Sequence, residues 1–97
     1  MYTYDMVLEL TIDGVLYEFY RTFKYSAQFR VGDFVYINGL EDVCIAKVTW
    51  YISRGTKPSA LVELESIKTV GPAYRFTCIL VADMDYCTPE LPKAPGQ

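Results

Sequence analysis

The fold is decided by residues 6–23, MVLELTIDGVLYEFYRTF, in which two alternating runs flank the pair Asp13-Gly14. Apolar side chains fill every second position of the first run: Met6, Leu8, Leu10 and Ile12. One face of the second run comprises Val15, Tyr17, Phe19, Arg21 and Phe23. A period of two is typical of half-buried strands, and an Asp-Gly pair between them favours a type I′ hairpin. The stretch therefore predicts two antiparallel strands.

Four more strands are predicted downstream, at residues 33–38, 43–52, 60–68 and 74–82. In the second of these, the apolar face is assigned to Cys44, Ala46, Val48, Trp50 and Ile52. Turn signals separate the strands: Asn38-Gly39, a hairpin loop at 53–58, and Gly71-Pro72. Because consecutive strands usually pair, we expect an all-β fold, either a small antiparallel barrel or a bent six-stranded sheet. Residues 24–32 are predicted to form a connection, and a short helix is an alternative for residues 22–31.

A chain of 97 residues is expected to form one β-barrel domain, here residues 1–85. Residues 86–97 hold three of the five prolines and are predicted to be a flexible Pro-rich tail. The aromatic content of 15% excludes a disordered acidic chain, and the net charge of -3 argues against general coating of nucleic acid. No run approaches the roughly 20 apolar residues of a membrane helix, and no basic residue precedes Arg21. We therefore expect an intracellular protein, cytoplasmic or nuclear, without membrane contact.

The composition offers little for catalysis or metal binding. The chain has no His, the commonest general base, and no glycine-rich phosphate-binding motif. Its cysteines form no CxxC pair, and we expect Cys44, Cys78 and Cys87 to act as small hydrophobic residues in a reducing compartment. We therefore expect no enzyme, no catalytic residue, no metal site and no cofactor.

A family resemblance is carried by three short stretches: Asp13-Gly14 to Tyr17, Val31–Ile37 and Ile45–Val48. In order, they resemble the elements DG-x-x-Y, VGD-x-VY(I/V) and I-A-(K/R)-(I/V) that recur at the start of bromo-adjacent homology domains. These domains belong to the Src-homology-3-like small barrels. The resemblance implies a small barrel that acts as a chromatin-associated module and recognises a protein or peptide partner.

Barrels of this kind sometimes hold a methylated Lys or Arg in an aromatic cage. The resemblance points to Phe34, Tyr36, Trp50 and Tyr51 as cage candidates, with Glu41 and Asp42 as anions beside the bound cation. Phe34 and Tyr36 share one strand face, whereas Trp50 and Tyr51 are adjacent, so at most one of the latter joins that face. The alternative for each ring is ordinary core or cross-strand packing.

A second hypothesis is nucleic-acid binding through residues 19–32, FYRTFKYSAQFRVG. This segment holds Arg21, Lys24 and Arg30, has no acidic residue, and interleaves the cations with aromatic rings. Such a mixture suits single-stranded nucleic acid, whose bases stack on rings while cations meet phosphates. The alternative is a connection whose rings pack inward and whose cations pair with the acidic remainder of the chain.

A third hypothesis is a small self-associating or inhibitory protein. The predicted strands at 43–52 and 74–82 are apolar enough to need cover, which a homodimer or a larger partner would supply. An acidic surface would be steered towards a basic partner. The leading hypothesis is a non-catalytic protein- or peptide-interaction module, with nucleic acid as the less favoured ligand.

Overall fold

The computed structural model describes residues 1–52 and 57–95, and most of these residues lie in β-strands. The strands are β1 (Tyr2–Ile12), β2 (Val15–Tyr25), β3 (Phe34–Ile37), β4 (Glu41–Tyr51), β5 (Ser59–Leu64), β6 (Ile67–Thr69) and β7 (Tyr86–Thr88). One short helix, α1 (Thr77–Ala82), follows a single 3-10 turn at Ala73–Phe76. The strands form one sheet that curls into half a barrel. The expectation of an all-β fold built on a bent sheet is confirmed.

The β1–β2 hairpin forms as the sequence predicts. Asp13 and Gly14 both have positive φ angles, 49° and 83°, which is the signature of a type I′ turn. Pairing runs without interruption from Ile12–Val15 beside the turn to Tyr2–Tyr25 at the open end. The hairpin is therefore the longest regular unit of the sheet, and it fixes which face of each strand is buried.

The strand order is β3-β4-β5-β1-β2-β7, with β6 beside β1. Strand β5 does not continue an antiparallel meander: it pairs in parallel with β1, and so does β6. The predicted all-antiparallel arrangement is wrong at this point. Because β2 already occupies one edge of β1, β5 and β6 pair along the other edge, so β1 is paired on both edges.

The concave face of the curled sheet holds the core. Alternate residues of β1 and β2 point into it, as the period of two predicts, and strands β3 to β5 and α1 complete it. The largest fully buried side chains are Tyr4, Phe19, Leu8, Leu10, Ile12, Ile37, Ile45, Ile79 and Val62. No polar or charged residue is buried among the described positions, so burial of apolar surface is the main source of stability.

The face assigned to β4 is wrong over its first half. Val43 and Ile45 are buried, whereas Ala46 is exposed. A register shift between Ile45 and Lys47 marks a β-bulge, after which Val48 packs against the core. A bulge adds one residue to a strand and so exchanges the inward and outward positions that follow it.

Two further predictions are wrong. Residues 74–82 form helix rather than strand, because Ile79 and Leu80 of α1 pack into the core across the turn that joins β3 to β4. A short uninterrupted apolar run is compatible with either structure, so periodicity could not separate them. The predicted helix at 22–31 does not form, because β2 continues to Tyr25 and the chain then crosses to β3.

Two other predicted segments have different outcomes. The sequence predicts a hairpin loop at residues 53–58, of which residues 53–56 lie outside the described residues. The predicted tail begins at Tyr86, and its first three residues form β7, which pairs with β2.

We predict that Gly39→Ala lowers the free energy of unfolding by more than Gly32→Ala. Both glycines have φ near 95° (93° at Gly32), so either substitution forces a left-handed conformation that costs about 1 kcal/mol. At Gly39 the added Cβ would also lie 3.2 Å from Cys78 Sγ of α1, whereas at Gly32 nothing lies within 4 Å. Urea titration of both variants measures the difference, and equal losses would contradict the close approach of α1 to this turn.

Candidate functional site

A groove of about 380 Å³ opens between the end of β2 and the start of β3. These two strands lie near opposite ends of the sheet order, and β7 covers β2 only from Glu18 to Tyr20. We call this cavity the β2–β3 groove, and it is lined by Met6, Arg21, Phe23, Lys24, Tyr25, Phe29, Phe34 and Val35. The groove is therefore the place where the half barrel remains open.

Phe29 organises the aromatic wall of the groove. It contacts Tyr4 and Phe23 edge to face, at centroid distances of 4.7 and 5.9 Å, and stacks on Tyr25 at 5.5 Å. The Tyr4 hydroxyl donates a hydrogen bond of 2.6 Å to the Ala27 carbonyl, which ties the connection between β2 and β3 to the core. Burial raises the pKa of Tyr4, so this phenol remains a donor. The wall is consequently held in place before any ligand arrives.

Two cations border these rings. Arg21 lies on the concave face of β2 together with Phe19 and Phe23, and its guanidinium carbon lies 5.1 Å from the centre of the Phe23 ring. This distance is within the range of a cation–π contact. Lys24 also lines the groove. Arg30, the third cation of the nucleic-acid hypothesis, is absent from the lining, and its backbone N–H donates to the Asp33 carboxylate at 2.9 Å.

The first two cage candidates lie beside this groove. Phe34 and Tyr36 are 68% and 67% exposed and share one face of β3, as predicted. Asp42 is exposed and lies directly opposite Tyr36 in the β3–β4 register. Glu41 is exposed at the start of β4, with a positive φ of 63° that ends the turn. These four residues therefore form one local group.

Trp50 and Tyr51 are placed at the far end of β4. Cys44, which pairs with Phe34, precedes Trp50 by six residues, a separation of roughly 20 Å along a strand. The Trp50 ring packs edge to face on Tyr2 at 5.4 Å and on Tyr4 at 5.8 Å, while Tyr51 is exposed. The structure does not bring the four rings together.

The groove instead joins parts of the two predicted sites. Phe34 comes from the cage set, and Arg21 and Lys24 come from the basic segment. Met6 and Val35, which complete the lining, were not singled out as site residues. One signal in the sequence could have located the groove: the period of two already assigns Arg21 to the apolar face of its strand, where a charged side chain is unusual.

A second concavity, of about 480 Å³, lies on the convex face of the sheet. Acidic residues dominate its polar lining, which includes Glu9, Glu63, Glu65 and the cation Lys47. The Ser66 hydroxyl donates to Glu9 at 2.8 Å. Within residues 1–52 and 57–95, no group of three or more metal-ligating side chains is found. The two concavities therefore differ in charge, with cations at the groove and mostly carboxylates in the second.

No protein-family model matches the sequence, and neither a curated protein nor a solved structure matches it significantly. Among the described residues, no helix is long and apolar enough to cross a membrane. The function is therefore argued from the groove, its aromatic wall and its two cations.

We predict that Tyr20 ionises with a pKa of about 12, because its hydroxyl donates a hydrogen bond to the Glu18 carboxylate on the convex face. Loss of that proton would place two negative charges together. The contribution to stability is complete below pH 10, the ordinary tyrosine value, and is lost as the pH rises through 12. Spectrophotometric titration of tyrosine checks this.

In that titration, Glu18→Gln should lower the highest pKa towards the ordinary value, and Tyr20→Phe should remove the corresponding step. An unchanged titration curve in both variants would refute the assignment.

Proposed function

We propose that the protein is a non-catalytic interaction module that binds an extended peptide in the β2–β3 groove. The observation that carries this proposal is the groove itself, an open channel with a fixed aromatic wall, an exposed ring at its rim and two cations. Concave, mostly apolar sites with a few polar groups are the usual form of binding sites. An extended segment fits a channel that runs between two strands.

The energetics favour binding at Phe34. Its side chain is 68% exposed, and burying a phenylalanine contributes about 1.5–3 kcal/mol. The neighbouring rings of Phe23 and Phe29 are already packed against Tyr4, so little side-chain entropy remains to be lost there. A few rigid aromatic anchors of this kind carry most of the affinity in typical interfaces.

The state of two cysteines, Cys44 and Cys87, supports a non-catalytic role. Burial raises the pKa of Cys87, and burial together with nearby Glu65 raises the pKa of Cys44. Both thiols therefore favour the protonated form, which is a poor nucleophile. Neither thiol lines the groove.

Single-stranded nucleic acid is the second candidate, because Arg21 and Lys24 lie beside rings in one groove. Against it, only two cations among the described residues line the groove, Asp42 lies next to its rim, and the chain carries a net charge of -3. Each phosphate held by a protein generally requires a cationic or amide donor, so two cations support only a short contact. A methylated lysine would find two exposed rings, Phe34 and Tyr36, and the Asp42 carboxylate, fewer rings than the predicted cage.

We predict that Phe34→Ala weakens peptide binding by about tenfold or more, the equivalent of about 1.4 kcal/mol. Peptides selected from a random display library on the full chain serve as probes, and fluorescence polarisation measures their affinity. Tyr86→Ala is the matched control, because this ring is also exposed, at 58%, but stacks on Tyr20 outside the groove. We expect it to leave the affinity unchanged.

Two results would contradict this proposal. The first is selection of no peptide, together with binding of oligothymidylate that weakens steeply with salt and with Arg21→Gln. The second is equal loss of peptide binding in Phe34→Ala and Tyr86→Ala, which would place the peptide elsewhere on the sheet.

A further inference from the structure

We infer that the ligand is an acidic peptide that binds as an added β-strand along the open edge of β3, with its carboxylates facing Arg21. This inference rests on the proposed function and specifies the chemistry of the peptide. Two observations support it. The open edges of β2 and β3 have free backbone groups, and the chain itself fills one end of the gap between these edges.

The direction of the β3 backbone is fixed by its pairing with β4. The Ile45 N–H donates to the Asp33 carbonyl at 2.8 Å, so the backbone groups of Asp33 and then of Val35 face β4. Successive residues of a strand direct these groups to opposite sides, so those of Phe34 and Tyr36 face away from β4. Asn38, two residues further on, follows the same pattern and donates its N–H to the Asp83 carboxylate.

The edge of β2 follows the same rule. The Asp85 N–H donates to the Tyr20 carbonyl at 2.7 Å, and the Thr22 N–H donates to the Asp85 carboxylate at 2.9 Å. The backbone groups of Lys24, two residues later, therefore also face outward, beside the groove. Among residues 1–52 and 57–95, the outward N–H groups of Lys24, Phe34 and Tyr36 have no hydrogen-bond partner.

The segment 83–85, Asp-Met-Asp, indicates what these edges accept. The two carboxylates receive N–H groups from opposite sides of the gap, Asp83 from Asn38 of the β3–β4 turn and Asp85 from Thr22 of β2. The Met84 side chain between them is buried in the core. The occupied end of this gap is therefore bridged by a segment in which carboxylate and apolar side chains alternate.

The open end of the gap likewise has free backbone groups, and it also carries positive charge. Its edges offer free N–H donors, and Arg21 on the concave face offers a cation to carboxylates, with Lys24 adding positive charge to the groove. The exposed rings of Phe34 and Tyr36, on the opposite face of β3, offer apolar surface to the alternate side chains. Unpaired strand edges bind extended peptides by main-chain hydrogen bonds, while the flanking pockets select the side chains. An acidic peptide with alternating apolar residues satisfies all three features, whereas a basic one would meet Arg21 and Lys24 with like charge.

The test uses the full chain and a short peptide of alternating aspartate and leucine, with calorimetry as the readout. Replacing every aspartate by asparagine should weaken binding by about tenfold or more, and Arg21→Gln should weaken the aspartate peptide by a similar factor. Lys47→Gln is the matched control, since this cation lies on the convex face, and it should leave the affinity unchanged.

N-methylated peptides test the strand geometry. A strand added to β3 directs only every second N–H to that edge, so methylation at one set of alternate positions should abolish binding and methylation at the other set should be tolerated. Equal tolerance of both sets would overturn strand addition. Equal affinity of the aspartate and asparagine peptides would overturn the acidic preference and leave the peptide-binding function intact.

Two further outcomes would overturn the inference in other ways. Failure of the aspartate peptide alone, while library-selected neutral peptides bind and respond to Phe34→Ala, would reject the acidic ligand and retain the groove. A dimer that light scattering detects, and that Phe34→Ala abolishes, would make a second copy of the chain the occupant of this edge.

Discussion

The outward backbone groups at the two edges of a β-sheet need hydrogen-bond partners. In this protein the open edges are β3 and the part of β2 that follows its pairing with β7. The sheet curls far enough to bury a core but does not close into a barrel. Among the described strands, the outer edges of β2 and β3 are not paired with each other. Residues 83–85 bridge the gap at one end, where Asp83 accepts from Asn38 and Asp85 from Thr22. Helix α1, packed beneath the β3–β4 turn, brings those carboxylates into position.

Most of the sheet could be predicted because its information is local. Alternation and the Asp-Gly turn gave β1, β2 and the concave face, and the positive φ angles of that turn agree with them. Three features depend on packing between distant residues, which a single sequence does not display. They are the parallel pairing of β5 with β1, the bulge after Ile45, and the helical state of 77–82. In each case the local sequence is compatible with both the predicted and the observed structure.

The candidate site was predicted in fragments for the same reason. Sequence identified Arg21 and Lys24 as one group, and Phe34 as part of another, but their meeting depends on how the sheet curls. Trp50 was a reasonable ring for a cage, yet β4 carries it to the end of the sheet where Tyr2 and Tyr4 pack against it. Alternation along β1, β2 and β5 likewise places Arg21 on the concave face and Glu9 and Glu63 on the convex face. Charge alone would not have located the groove; the open edges do.

On the proposed binding mode, the free edges beside the β2–β3 groove receive an extended acidic peptide. Amide hydrogen exchange, followed residue by residue by NMR with and without the aspartate–leucine peptide, tests it most directly. We expect the N–H groups of Phe34 and Tyr36 to exchange rapidly in the free protein and to become protected when peptide binds. Val35, already paired with β4, should change little. Binding of the peptide without new protection at Phe34 and Tyr36 would contradict strand addition at this edge.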